Sequence, residues 1–170
     1  MKAIKLLSVI FFLISINSYA QEVNKKIMDQ KTQKEILIGL CNRDGLKAGD
    51  FGQHYQVEYG SYKPEVLIAD KIKSKLNKIT ITIIMGSWCG DSKEQVPRFL
   101  KLMDKVEYDS SKITFYCVDR DKKTEKGETD KLTITLVPTF IIYRDGVEIG
   151  RIIETPKVSL EADLLEILSK

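Results

Sequence analysis

From residue 64 onward, hydrophobic and polar positions fall into a series of segments with different periods. The stretch 64–76, PEVLIADKIKSKL, opens on a proline and carries apolar residues at Val66, Leu67, Ile72 and Leu76, which predicts a helix. Residues 79–85, ITITIIM, form a β-branched run that predicts a buried strand. Helical spacing returns in SKEQVPRFLKLMDKV, and Pro97 inside it implies a kink. KITFYCVD then predicts a second strand, and TFIIYRDGVEIGRIIE a hairpin turning at Arg144-Asp145-Gly146. The last segment, SLEADLLEILSK, reads as an amphipathic helix. Strand, helix, strand, hairpin and helix in that order describe an α/β fold with a mixed sheet.

The pattern upstream is weaker. Residues 24–60 are polar and helix-biased as far as Leu40, then interrupted by Gly45, Gly49 and Gly52, so 21–63 is expected to be a helical N-terminal extension to a domain at 64–170. Phe51, Tyr55, Tyr59 and Tyr62 recur at close to helical spacing. A stripe of that period most often docks one element onto another; the alternative is that it lines a substrate groove. No internal repeat or low-complexity tract interrupts the chain.

Residues 1–20 have a different character: Lys2 and Lys5, an apolar run from Leu6 to Ile16, and the small-residue ending Ser18-Tyr19-Ala20. This predicts a secretory signal peptide cleaved after Ala20. The apolar run is shorter than the ~20 residues that span a bilayer, so no stable membrane insertion is expected after cleavage. The first cysteine is Cys41, too far along for a lipid-modified cleavage site. A soluble, exported chain, periplasmic or extracellular, is the expectation.

Composition adds limits. At 170 residues, 43% hydrophobic and a formal charge of +3, the chain suits one compact domain with an extension and offers no electrostatic case for nucleic acid. The lysines at 71, 73, 75 and 78 and the charged stretch 119–131 read as solvated surface. Export makes the cysteines informative, because disulfides persist outside the cytoplasm and an odd set leaves one thiol unpaired. Cys41, Cys89 and Cys117 are such a set; their spacing, with the single His54, does not suit zinc, and neither a metal nor a cofactor is expected. Cys117 alternates with Phe115 and Asp119 and reads as a half-buried structural thiol, whereas Cys41 lies near glycines that would let it move.

The chemistry concentrates in GSWCGDSKEQVP, residues 86–97. Cys89 follows a strand end and opens a helix, where unpaired N–H groups and the positive end of the helix dipole favour thiolate. Trp88 supplies a flat apolar wall, Gly90 admits a partner's backbone, and the Ser92 hydroxyl is placed to donate to the sulfur. Asp91 acts in the opposite direction on the thiol while favouring the helix start.

The order of elements, with WCGDS between strand and kinked helix, the proline five residues after the serine, and VPT entering the hairpin, resembles the thioredoxin superfamily. WCGDS...VP, VDRD, VPTFII and ETP are more closely similar to bacterial thioredoxin-like proteins with a Trp-Cys-Gly-Asp-Ser active-site loop. The resemblance covers about residues 64–170 and implies a thioredoxin-like mixed sheet flanked by helices. It also implies a cis Val137-Pro138 bond beside the cysteine, with Val137 offering its backbone to an extended substrate segment. Where dithiol relatives carry a second cysteine this chain has Ser92, and where they bury an aspartate and a lysine it has Ile83 and Phe115. A serine cannot resolve a mixed disulfide. Release of a product bound to Cys89 therefore needs an external low-molecular-weight thiol, a substrate thiol, or Cys41 or Cys117.

Two function classes follow. One is a monothiol thiol-disulfide oxidoreductase or isomerase acting on protein or small-molecule thiols and disulfides through Cys89. The other is a polypeptide-binding module of the same fold, holding an extended segment on Trp88, Val137 and Pro138 with little redox turnover. Fold alone does not separate them.

Overall fold

The computed structural model describes residues 22–170, so the leader read at 1–20 lies outside the described residues. Three short strands come first: β1 (Lys26–Met28), β2 (Glu35–Leu37) and β3 (Gly39–Cys41). Helices α1 (Arg43–Leu46), α2 (Gly49–Ser61) and α3 (Val66–Lys73) lead into β4 (Ile79–Met85), α4 (Gly90–Lys105) and β5 (Ile113–Cys117). The chain closes with the hairpin β6 (Thr139–Arg144) and β7 (Val147–Ile153) and with α5 (Leu160–Leu168).

One five-stranded sheet carries the fold, in the order β3-β5-β4-β6-β7. β4 and β5 are parallel, joined by the α4 crossover; every other pair in it is antiparallel. The central strand β4 works because its β-branched residues alternate faces, with Ile79, Ile81 and Ile83 all buried against the helices. Phe99 of α4 stacks on Phe140 of β6 with ring centroids 4.5 Å apart, which seats the crossover helix on the sheet. α4 runs on through Pro97, whose missing N–H leaves the Lys93 carbonyl without its intrahelical donor. In α3 the buried residues are Ala69 and Ile72, while Val66 and Leu67 face outward.

The extension departs from its sequence reading. Residues expected to be helical up to Leu40 form strands instead, because β3 pairs with β5 and residues 24–25 bond to the backbone of 38 and 40. Such long-range pairing overrides a weak local preference. The helix comes later, in the glycine-containing stretch, as α2. It docks onto α4: Phe51 and Tyr55 are buried, Tyr55 and Tyr59 stack at 5.4 Å, and Asp104 of α4 accepts from Tyr59 Oη at 2.6 Å. Asp104 also accepts from the two terminal Arg43 guanidinium nitrogens, at 2.7 and 2.8 Å. Burial works against its charge, but Arg43 and Tyr59 outweigh that and hold its carboxyl below the ordinary value. The extension therefore shares one core with the rest of the chain.

Candidate active site

A glycine-flanked loop at 86–90 meets the Val137-Pro138 turn at the end of the sheet. β4 ends at Met85, and Gly86 starts the loop: a Cβ there would come within 2.6 Å of the Trp88 ring, so only glycine lets the indole fold back over the loop. Cys89 is the N-cap of α4, with its own N–H donated to the Gly86 carbonyl at 2.9 Å. No side chain caps that helix end, so its first amide groups lie beside the sulfur. The thiol is half-buried and donates to the Val137 carbonyl at 3.2 Å, with Asp91 Oδ2 at 3.9 Å. The Val137-Pro138 bond is cis, and both residues are buried. Gly90 is exposed, with open space where a side chain would stand.

Ser92 takes a different place from the one expected. Its side chain is fully buried and its oxygen accepts the Gly86 N–H at 3.2 Å, so the hydroxyl closes the loop behind the cysteine. Ile83 and Phe115 face each other in the β4–β5 register and are both buried. An apolar pair occupies that level. No ionisable group is offered there to shuttle protons.

The other two thiols lie elsewhere. Cys117 is wholly buried, deeper than its half-buried reading, and Cys41 is 4% exposed; both belong to the helix-covered core. Cys89 and Trp88 instead pack on a separate cluster of Ile84, Val118, Val137 and Ile141. Cys41 is held in a paired strand, which removes the freedom that its neighbouring glycines suggested.

Two residues of the site escaped the sequence reading. Arg120, expected to be solvated surface, lies over the Trp88 ring at 4.7 Å from its centroid. Its guanidinium makes a two-point bond, at 2.9 and 2.7 Å, to Asp29 of the extension, which is 5% exposed. Asp29 holds Arg120 above its ordinary value, with a smaller contribution from Cys89. Reciprocally, Arg120 first and Thr32 next hold the Asp29 carboxyl well below the carboxylate range. Trp88 Nε1 donates to the Val118 carbonyl at 2.9 Å, and Leu37 N–H to Ser87 Oγ at 2.9 Å, so the loop is held from the sheet end and from the extension. A cleft of about 450 Å³ opens there, between β2, the start of α2, Trp88, Lys93 and Arg120. No sequence signal pointed to Asp29, which sits nearly a hundred positions from its partner.

The Thioredoxin family model matches residues 64–166. The chain belongs to the thioredoxin family. Putative thioredoxin-5 of Dictyostelium discoideum is 35% identical over 83 residues, covering 49% of this chain and 75% of its own. Thioredoxin H9 of Arabidopsis thaliana is 28% identical over 138 residues, covering 77% of this chain and 93% of its own. A protein of unknown function from Pseudomonas aeruginosa shares the fold alone, with a TM-score of 0.50 at 12% identity over 70% of this chain and 81% of that one. The mixed α/β architecture, with its sheet flanked by helices, is thus a thioredoxin-like fold, and thiol-disulfide exchange is the general chemistry this thioredoxin-family protein is built for.

Proposed function

We propose that the protein is an exported monothiol thiol-disulfide oxidoreductase or isomerase with Cys89 as nucleophile. The observation that carries this reading is the half-exposed Cys89 sulfur at the uncapped start of α4, with a buried, hydrogen-bonded Ser92 where a second thiol would stand. Cys89 thiolate attacks one sulfur of a substrate disulfide and expels the other as a thiolate, leaving a mixed disulfide. An external thiol then attacks that bond and restores Cys89, or a second substrate thiol does so and the substrate's disulfides are isomerised. Trp88, Gly90 and Asp91 form the accessible part of the surface that would hold the substrate segment, and the buried Val137–Pro138 turn would contribute its backbone. Export is supported by the leader pattern at 1–20.

The test is capture of mixed disulfides. Acid-quenched extracts, separated without reductant, should show high-mass adducts of the wild type that disappear in Cys89→Ser and persist in Cys117→Ser. A binding module is favoured by one feature, the cleft beside Trp88. It would retain partners in Cys89→Ser and lose them in Trp88→Ala. Absence of adducts together with capture indifferent to Cys89 overturns the oxidoreductase reading. Cell fractionation of the full chain tests export separately.

A further inference from the structure

Strand β3 pairs antiparallel with β5 so that Gly39 faces Cys117 and Cys41 faces Phe115. Residues two apart on a strand share a face, so Cys41 and Cys117 stand on the same face of the sheet, in diagonal register. Gly39, directly across from Cys117, places no side chain between the two thiols. The Cys41 sulfur leans back toward Gly39, 3.5 Å from its carbonyl, and so toward the residue paired with Cys117. Both thiols are buried in the same core cluster, among Leu46, Tyr55 and Phe115. The two thiols interact: Cys117 lowers Cys41, while Cys41 together with burial raises Cys117. Cys41 keeps 4% of its surface exposed and Cys117 none, so Cys41 is the thiol an oxidant reaches first.

We propose that Cys41 and Cys117 form a disulfide that fastens the N-terminal strand to the sheet and leaves Cys89 as the one thiol free for exchange. Disulfides need Cα atoms within about 7 Å, a separation at the short end of diagonal neighbours. Cys41 is the last residue of the three-residue β3, so the small adjustment needed falls at the strand's end and is far short of the swing toward Cys89 that its pairing rules out. The oxidant is a low-molecular-weight disulfide. Cys41 thiolate attacks one of its sulfurs and releases the first small thiol. Cys117 then loses its proton, attacks the Cys41 sulfur and releases the second. Two S–H groups become one S–S bond, and one small disulfide is reduced to two thiols. The odd cysteine count is accounted for as one structural pair and one reactive thiol. This inference does not depend on what Cys89 does.

The full chain and its Cys89→Ser variant are incubated folded with excess oxidised glutathione, and in parallel are refolded from urea in a glutathione redox buffer. Each sample is acid-quenched, alkylated under denaturing conditions and mapped by mass spectrometry after digestion. The expected result, in at least one arm, is a peptide pair joined through Cys41 and Cys117 in both proteins, together with a thermal midpoint several degrees above that of the reduced chain. Cys41→Ala, at the end of a short strand, should show no oxidant-dependent rise in midpoint, and Cys117 should then remain alkylatable. Recovery of Cys41 and Cys117 as separately alkylated thiols in both arms overturns the proposal, as does a link from either one to Cys89. Mixed-disulfide capture by Cys89 is a separate readout, so its failure would leave this result standing.

Discussion

The loop 86–92 and the extension at 29–51 enclose the same cleft by opposite means. In the loop, neighbours in sequence are neighbours in space: Gly86 accepts from Cys89, its N–H goes to Ser92, and its missing side chain makes room for Trp88. The extension contributes through distant partners, Asp29 on Arg120 and Leu37 on Ser87. In the proposed reading the loop carries the reacting atom, and the extension supplies the charge and contacts around it. Substitutions in the loop should therefore change chemistry with the fold intact. Substitutions in the extension should change stability or modulate a rate that the loop still supplies.

The largest effect should come from the loop. Cys89→Ser should reduce disulfide exchange to background, a loss of about a thousandfold or more, since an alkoxide cannot take the thiolate's part. An insulin-type turbidity assay with a dithiol reductant reads this, and circular dichroism should be unchanged because the sulfur is only half-buried. Activity surviving in the variant would place the reacting thiol elsewhere.

Next is the attachment of the extension. Asp104→Asn weakens the bonds to Arg43 and Tyr59 and should lower stability by about 2 kcal/mol, roughly thirtyfold in the folding constant. The folded carboxyl titrates below its unfolded value, so this contribution is complete above an unfolded value of about 3.9 and is lost as pH falls through the lower folded value. Urea melts should show the full wild-type advantage near about pH 7 and a shrinking one below about pH 4. An advantage independent of pH would mean the pair matters for packing alone.

These contrasts explain what was legible. The elements β4, α4, β5, the β6–β7 hairpin and α5 each satisfy one period over five or more residues, and local pattern suffices for them. β1, β2 and β3 are three residues each, too short for a period to register, and they exist through their partners. The glycines misled for a specific reason. Gly45 and Gly52 looked like helix breakers, yet both lie within helices; a Cβ on Gly45 would collide with the Asn24 side chain, and one on Gly52 with the Lys47 carbonyl. They are close-packing positions, and only Gly49, with φ of +60°, marks the real break between α1 and α2. Likewise Cys89, Trp88 and Pro138 could be read because one loop and one turn present them. Arg120 could not, because a charged run carries no sign of the carboxylate that meets one of its members.

A third substitution sharpens the chemistry of the loop. Ser92→Cys should raise reductase turnover by about tenfold, because a resolving thiol then stands one helical turn from Cys89. The gain stays partial: Ile83 and Phe115 provide no proton carrier, and the buried Ser92 oxygen that held the Gly86 N–H is replaced by a weaker sulfur acceptor. A fully formed disulfide between Cys89 and the introduced thiol, with no gain in rate, would shift weight from turnover to binding.

The smallest expected effect tests the extension's influence on the reacting atom. Arg120 lies over the ring of Trp88, the residue before Cys89, so its guanidinium brings positive charge to the loop, while exposure and salt reduce its effect. Arg120→Ala should slow iodoacetamide alkylation of Cys89 at neutral pH by about threefold, a change of about 0.7 kcal/mol. Asp29→Asn separates charge from position. It keeps a side chain able to hold the turn through Lys31 N–H and Thr32 but removes the negative charge that offsets Arg120. If charge dominates, this variant should alkylate slightly faster than wild type, opposite in sign to Arg120→Ala. If instead the pair acts by holding the indole in place, both variants slow together and Trp88 fluorescence shifts in both. The geometry favours the first outcome, because Trp88 has an independent anchor in its bond to the Val118 carbonyl and keeps it when the Asp29 charge is gone.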